Sequence, residues 1–352
     1  MIHDKSFIYD LSYTQIKELV IDLGEPGYRA DQIWHGLYQQ HWNKWEQFTS
    51  LPARLRSRLE SDILVTSLRP TTTLESTDGE TVKTLFQLPG GTAIEAVIMR
   101  YNKRRTLCIS TQAGCAMGCV FCATGQMGLN RNLSSGEIVE QVMYYSRQLH
   151  RDDERVTNIV IMGMGEPFHN YNETMHAIER LNDKDGYNFG ARRFTISTVG
   201  LVPMIKRFSS EKHQINLAIS LHTVDNELRT SLLPVNRKYP VDVLLESCRE
   251  YVQLTGRRIT FEWALIRGLN DSVNQAEELA RKLKLFRSGG ANLYHVNLIP
   301  LNPTYGYSGE RTTRNQAILF RDQLTKAGIS CTIRVRRGID IQAGCGQLAI
   351  KS

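Results

Sequence analysis

The sequence predicts an α/β fold, a partial (β/α)6 barrel preceded by a small helical unit and a strand extension. Two observations lead there. Six β-rich apolar runs alternate with six stretches of helical periodicity between residues 106 and 327, with no hairpin signals separating them, which argues for a parallel sheet covered by helices. The first 65 residues show helical apolar spacing instead.

In chain order, residues 12–61 read as helices, through Gln15-Ile-Lys-Glu-Leu19 and Ala30-Asp-Gln-Ile-Trp34-His-Gly-Leu37. Trp34, Trp42 and Trp45 are expected as core aromatics of that unit. Residues 81–88 and 92–99 read as paired strands joined by Pro89-Gly90-Gly91. A strand over 106–111 leads into a cysteine-rich loop, and Ser134-Ser-Gly-Glu137 is a capping box opening a helix with Ile138, Val142, Tyr145 and Leu149 on one face. Further strands are predicted at 158–162, 193–198, 215–221, 259–265 and 293–299, followed by helices near 172–182, 201–208, 241–255, 272–285 and 312–327. The expected domains are a helical accessory domain (1–65), a β extension (66–100), and a barrel core with a cysteine-bearing tail (101–352).

The chain has 352 residues, a net charge of +7 and a pI near 9.0, a balance that permits a polyanionic partner. No N-terminal segment joins basic residues to an apolar stretch and no apolar run reaches membrane length, so a cytoplasmic protein is expected, with no membrane partner. Seven cysteines, three of them crowded on one loop, fit a reducing compartment and not a disulfide framework.

That loop reads Cys115-Ala-Met-Gly-Cys119-Val-Phe-Cys122. Three thiolates at this spacing can ligate three irons of a 4Fe-4S cluster and leave the fourth open to another ligand. A zinc knuckle is the bland alternative, but it needs a fourth ligand, and the nearest downstream histidine, His150, lies across a predicted helix. The spacing, with Phe121 before the third cysteine, resembles the radical S-adenosylmethionine (SAM) superfamily. The resemblance implies that Cys115, Cys119 and Cys122 hold the cluster, that SAM chelates the open iron, and that its reductive cleavage yields a 5'-deoxyadenosyl radical. In such a barrel, function sits on loops after the C-terminal strand ends. Gly163-Met-Gly165-Glu166-Pro167 occupies one of these, and by resemblance Gly165 and Glu166 grip the aminopropyl end of SAM. Ser197, Ser220, Leu221, His222 and Asn302 match further SAM contacts of the superfamily. Taken singly, each is equally a strand-end cap or turn residue, and His222 fits a hydrogen-bonding contact better than a catalytic base.

Two more cysteines refine the picture. Cys108 precedes the cluster loop by seven residues, and Cys345, flanked by Gly344 and Gly346, is expected on a mobile, exposed tail as a reactive thiol. Cys248 and Cys331 are expected to be packing residues. With these thiols and the Gly27-Tyr-Arg-Ala-Asp-Gln-Ile-Trp34 element, residues 27 to 348 resemble the bacterial dual-specificity RNA (adenine-C2) methyltransferase family.

That resemblance implies methylation of adenosine 2503 in 23S rRNA, at the peptidyl-transferase centre, and of adenosine 37 in tRNAs. It makes Cys345 the methyl carrier, an S-methylcysteine that becomes a methylene radical and joins covalently to RNA; Glu95 the proton acceptor; and Cys108 the thiol that resolves the adduct through a transient disulfide with Cys345. It further implies two SAM per turnover, an external flavodoxin-like electron donor and a monomer. Read on its own, Glu95 would be an ordinary solvent-facing strand residue. A C8-specific rRNA adenine methyltransferase that confers ribosomal antibiotic resistance, a radical SAM activase of a protein substrate and a zinc-knuckle RNA-binding module remain the alternatives. Basic residues at predicted loop edges, among them Arg100, Arg104, Arg192, Arg257, Arg336 and Arg337, can hold phosphates, and none is assigned individually.

Overall fold

The computed structural model describes residues 5–286 and 293–349; the outermost residues of the expected accessory domain and tail, 1–4 and 350–352, lie outside the described residues. One sheet organises the chain. Its strands are β1 (Arg69–Glu75), β2 (Thr81–Gln87), β3 (Ala93–Tyr101), β4 (Arg104–Cys108), β5 (Asn158–Ile161), β6 (Phe194–Thr198), β7 (Asn216–Ser220), β8 (Ile259–Leu265), β9 (Tyr294–Pro300) and β10 (Ser330–Ile333). They lie side by side in that order. Each of the first four is antiparallel to its neighbour in that group, and β4 to β10 all run parallel.

The parallel strands are short and apolar because both faces are covered. Ile159, Ile161, Ile196, Leu217, Ile219, Phe261, Trp263, Val296 and Leu298 are all buried. Helices Ser135–Arg151, Tyr171–Asn182, Val202–Glu211, Val241–Thr255, Val273–Leu285 and Arg314–Lys326 connect them. The expected alternation is therefore present, with one parallel strand more than the six predicted. That strand, β10, is four residues long and half exposed, so its pattern is too brief to read. The helix Asn226–Leu232 was also not predicted; Asp225 caps it by accepting from Leu228 N–H at 2.7 Å. The antiparallel extension likewise gains a strand: β1 is exposed along its whole length, has a bulge between Pro70 and Thr72, and lacks apolar alternation.

The predicted strand over 106–111 divides. β4 stops at Cys108, and Gln112–Gly114 turns away to pair antiparallel with Leu129–Asn132, closing the cysteine loop at its base. Cys115 N–H donates to Gly128 O at 2.8 Å. Gly114 has φ +78°, and a Cβ there would sit 2.0 Å from Gly128 O, so no other residue fits.

The accessory helices are Tyr13–Asp22, Arg29–Tyr38 and Ala53–Asp62. Trp34 is buried against Tyr13 and Tyr38, and Trp45 donates from Nε1 to Ile63 O at 2.9 Å, so these tryptophans are core residues as expected. The unit docks on the N-terminus of Ser135–Arg151. Asp10 Oδ1 accepts from Gly136 N–H at 2.8 Å, and Arg180 donates to the carbonyls of Tyr9 and Asp10. From the same helix, Glu140 Oε2 accepts from the N–H groups of Ser67 and Leu68 and from the Ser67 hydroxyl.

Candidate active site

The C-terminal ends of the parallel strands surround a cleft of about 970 Å³. Its floor is the cysteine loop, with Cys115, Cys119, Phe121 and Cys122; its walls are Gly165 and Glu166 after β5, Ser197 in β6, Ser220 and His222 at the end of β7, Asn302 after β9, and Cys345.

Each wall is fixed by the backbone around it. Gly165 has φ +104°, and a Cβ would lie 2.6 Å from that of Gln112, so only glycine lets the β5 loop approach the cysteine loop. The buried Glu166 carboxylate accepts from Phe168 N–H at 3.0 Å and Val199 N–H at 2.9 Å, which ties the ends of β5 and β6 together. Burial pushes its carboxyl up to about 7. His222 sits in the left-handed region at φ +62°, with its ring edge-on to Phe121 at 5.0 Å. Its Nδ1 accepts from Ala264 N–H at 2.9 Å, so the neutral ring carries its proton on Nε2. Burial, then the nearby Arg229, lower the imidazole to about 3 and keep it neutral. The buried Arg229 donates to the carbonyls of Leu221, Val199 and Ser220, clamping the ends of β6 and β7; a lone arginine gives no such signal in the sequence. Leu221 differs from the other expected contacts. Its side chain is wholly buried in the core and does not line the cleft, because successive side chains of an extended chain point to opposite faces.

The cysteine loop fits an iron-sulfur cluster by the chemistry of its donors. Burial pushes the Cys115 thiol up to about 12 and raises those of Cys119 and Cys122, and neighbouring thiols add to the rise at Cys115 and Cys119. Three such sulfurs become thiolates when iron supplies the compensating charge. Among the described residues no three His, Cys, Asp or Glu side chains converge on a single-ion site. A cluster needs no such convergence, since each sulfur bonds a different iron.

Cys108 lies in an adjoining cleft of about 760 Å³ together with Met99, Tyr101, Asn302, Arg334 and Cys345. Asn302, Arg334 and Cys345 belong to both clefts, so Cys345 stands in the wall between the cysteine loop and Cys108. Burial, then the proximity of Cys345, push the Cys108 thiol up to about 12, and Arg334 opposes the rise. Both are free thiols, as are all seven cysteines. The nearby Cys345 sulfur is the largest influence keeping the Arg334 guanidinium firmly charged; sequence reasoning noted Arg336 and Arg337 in this run and missed Arg334.

The expectation of a mobile, exposed tail does not hold. Cys345 is half-buried on a strap pinned along its length: Asn302 Nδ2 donates to Cys345 O at 3.0 Å, Ala123 N–H to Gly346 O at 2.8 Å, and Thr124 Oγ1 to Leu348 O at 2.6 Å. The two glycines serve close approach and a turn, with Gly346 at φ +80°. Cys248 is buried in the helix Val241–Thr255 and Cys331 is half-buried in β10, both consistent with packing.

Glu95 is buried, not solvent-facing. The β3–β4 register pairs Val97 with Cys108, which puts Glu95 on the same sheet face as Cys108 and one step nearer the rim. Its carboxylate forms an ion pair with Lys83 at 2.8 Å and accepts from Ala349 N–H at 3.0 Å, anchoring the strap beyond Cys345. It lines a separate hollow with Asp340, Ile341 and Gln342, outside the two thiol clefts.

Comparison with known proteins places this geometry. A family profile for the Radical SAM superfamily matches residues 109–283, and one for the ribosomal RNA large subunit methyltransferase N-terminal domain matches residues 8–65. The chain is 48% identical over 347 residues to the probable dual-specificity RNA methyltransferase RlmN of Chloroflexus aurantiacus, covering 97% of this chain and 92% of that protein. It is 44% identical over 341 residues to dual-specificity RNA methyltransferase RlmN 1 of Myxococcus xanthus, covering 97% and 93%. The crystal structure of a radical SAM methyltransferase from Sphaerobacter thermophilus superposes with a TM-score of 0.94 at 48% identity, covering 97% of this chain and 99% of that one. With a three-cysteine loop at the strand ends and two further thiols beside its cleft, and with relatives matched nearly end to end, the chain belongs to the RlmN family of dual-specificity RNA methyltransferases within the radical SAM superfamily.

Proposed function

We propose that the chain methylates C2 of adenine in RNA, at adenosine 2503 of 23S rRNA and adenosine 37 of tRNAs, with Cys345 as the methyl carrier. The observation that carries this reading is the position of Cys345 in the wall shared by the cleft of the cluster cysteines and the cleft of Cys108. C2 of adenine is electron-poor and bears no lone pair, so direct methyl donation from SAM fails there and a radical route is needed.

Cys115, Cys119 and Cys122 would hold a 4Fe-4S cluster, and when bound, the cluster and SAM supply both the methyl group and a 5'-deoxyadenosyl radical, from two SAM per turnover. Glu166 offers its carboxylate to the SAM ammonium beside the open backbone of Gly165. Ser197, Ser220, Asn302 and the Nε2–H of His222 present polar groups to the rest of SAM, with the backbone of Leu221 between two of them. The Cys345 sulfur takes the methyl group, hydrogen is then removed from it, and the resulting carbon radical adds to C2, joining protein to RNA. Glu95, on the Cys108 face of the sheet but paired with Lys83 in the neighbouring hollow, would leave that pair to take the C2 proton. The adduct gives up one electron, which the oxidised cluster would accept; Cys108 sulfur then attacks Cys345 sulfur and breaks its bond to the new carbon, which takes a proton to become the methyl group, so that methylated RNA leaves and a disulfide remains for an external thiol or reductant to open. The reading includes a flavodoxin-like external electron donor, a cytoplasmic location and action as a monomer.

The test is mass spectrometry of nucleosides, with base-position assignment, on rRNA and tRNA from cells with and without this protein. The expected result is 2-methyladenosine in both RNAs only when the protein is present. Detection of 8-methyladenosine instead would replace C2 by C8. Zinc without sulfide in anaerobically purified protein would remove the radical chemistry altogether.

A further inference from the structure

Next to the thiol cleft lies a groove of about 900 Å³ whose lining carries Arg311, Arg314, Arg321, Arg334 and Arg336 and no carboxylate. Its walls are the end of β10, the loop that precedes the helix Arg314–Lys326, and the first turns of that helix. Arg334 and Arg336 also line the cleft of Cys108 and Cys345, so the groove adjoins the cleft that holds both thiols.

Four observations give it a sign and a use. Arg311 and Arg314 are exposed and form no ion pair among the described residues, whereas Arg321 is neutralised only by an exposed Asp322 outside the lining. Burial, then the neighbouring positive charge of Arg311, depress the Arg336 guanidinium, so like charges crowd at this end of the groove. The helix points its N-terminus, capped by Thr313, into the same groove and adds its positive end. Between Arg334 and Arg336, Val335 is 73% exposed and offers an apolar spot for a ribose or base face.

We propose that this groove holds the phosphates of the single-stranded RNA flanking the adenine that enters the thiol cleft. The inference rests on the RNA methylation reading. A base drawn out of its stack must be held through the backbone on either side, and that backbone has to lie within a nucleotide or two of the thiols. The arginine groove meets that requirement by position as well as by charge.

The experiment uses the full chain, cluster-loaded under anaerobic conditions, and a fluorescent RNA stem-loop with a loop adenine, titrated across a salt series. Each phosphate contact on a single strand contributes about 0.7 to the slope of log affinity against log salt. The R311A/R314A variant is expected to bind about tenfold or more weakly and to lose about 1.4 from that slope, while R311K/R314K retains the slope. Inorganic phosphate at matched ionic strength should compete no better than chloride. If wild type binds and methylates RNA but R311A/R314A keeps its affinity and slope, the groove assignment fails alone; if wild type neither binds nor methylates RNA, both readings fall. Displacement of RNA by free phosphate would make the groove a small-anion site and overturn the proposal. Should the double variant lose its fold, R321Q carries the same test with about half the slope change.

Discussion

Cys345 is placed through its main chain: its carbonyl accepts from Asn302, and the residues after it are tied to Ala123 and Thr124 of the cysteine loop. Removing the sulfur leaves those bonds intact. Cys345→Ala is therefore expected to keep iron and sulfide content and melting temperature while abolishing RNA methylation; turnover in that variant would strip the residue of its carrier role. Cys108→Ala should accumulate protein covalently bound to RNA, seen as a nuclease-sensitive band of raised mass on a denaturing gel, and free product at the normal rate would contradict it. The cysteine loop was legible in the sequence because three cysteines at a fixed spacing are rare, whereas Gly165, Glu166 and His222 were expected from the family resemblance; the structure puts all of them on one cleft. Arg334 and Arg229 were not, since arginine is common and its meaning comes from distant partners: two thiols for one, three carbonyls of converging strand ends for the other. The restraint on Cys345 was hidden for the same reason, its partners being more than forty residues away.

At the scale of elements, the helix Ser135–Arg151 shows how one capping box serves two neighbours. Ser134 and Glu137 close its first turn as the sequence predicts, and one turn on, Glu140 reaches out to bind residues 67 and 68 in the connection to β1. Burial raises the Glu140 carboxyl from 4.5 to about 7. A carboxyl whose folded value is raised is favoured by folding in its protonated form, so its contribution is present at low pH and is lost as pH rises from about 4.5 to about 7. Glu140→Gln keeps an oxygen acceptor without the charge. It should flatten this part of the stability curve, narrowing the difference between denaturation at about pH 5 and about pH 8 by up to about 3 kcal/mol. An unchanged pH profile would show that the carboxyl does not titrate there. Helices of twelve or more residues, such as Tyr171–Asn182 and Val241–Thr255, were read nearly to their ends because several turns repeat the apolar spacing. β1 escaped notice because it faces solvent along its whole length, β10 because it is only four residues long, and the bridge that closes the cysteine loop because long-range hydrogen bonds set it.

For the whole molecule, the docking of the helical unit on the barrel hinges on Gly136. A Cβ there would sit 2.7 Å from the backbone of Tyr9 and Asp10. Alanine ordinarily gains about 1 kcal/mol over glycine inside a helix, yet here it would push the N-terminal segment off the helix end and break the Asp10 bond to Gly136 N–H. Gly136→Ala is thus expected to lower the melting temperature and expose the 8–65 region to protease; a stabilised variant would show that the helix end tolerates separation. Parallel strands and the accessory helices could be read because both bury a periodic apolar face, whereas how the two units meet depends on a glycine and an aspartate that no periodicity marks. The sheet itself is open, ending at β1. An unpaired edge is a template on which another chain can add strands, and a ten-stranded sheet offers a broad one. Pro70 removes a donor from that edge, the bulge beside it breaks the repeat, and Arg69 and Glu75 place charge at its two ends. The features that made β1 unreadable as a strand are the same ones that keep it from recruiting its neighbours into aggregates.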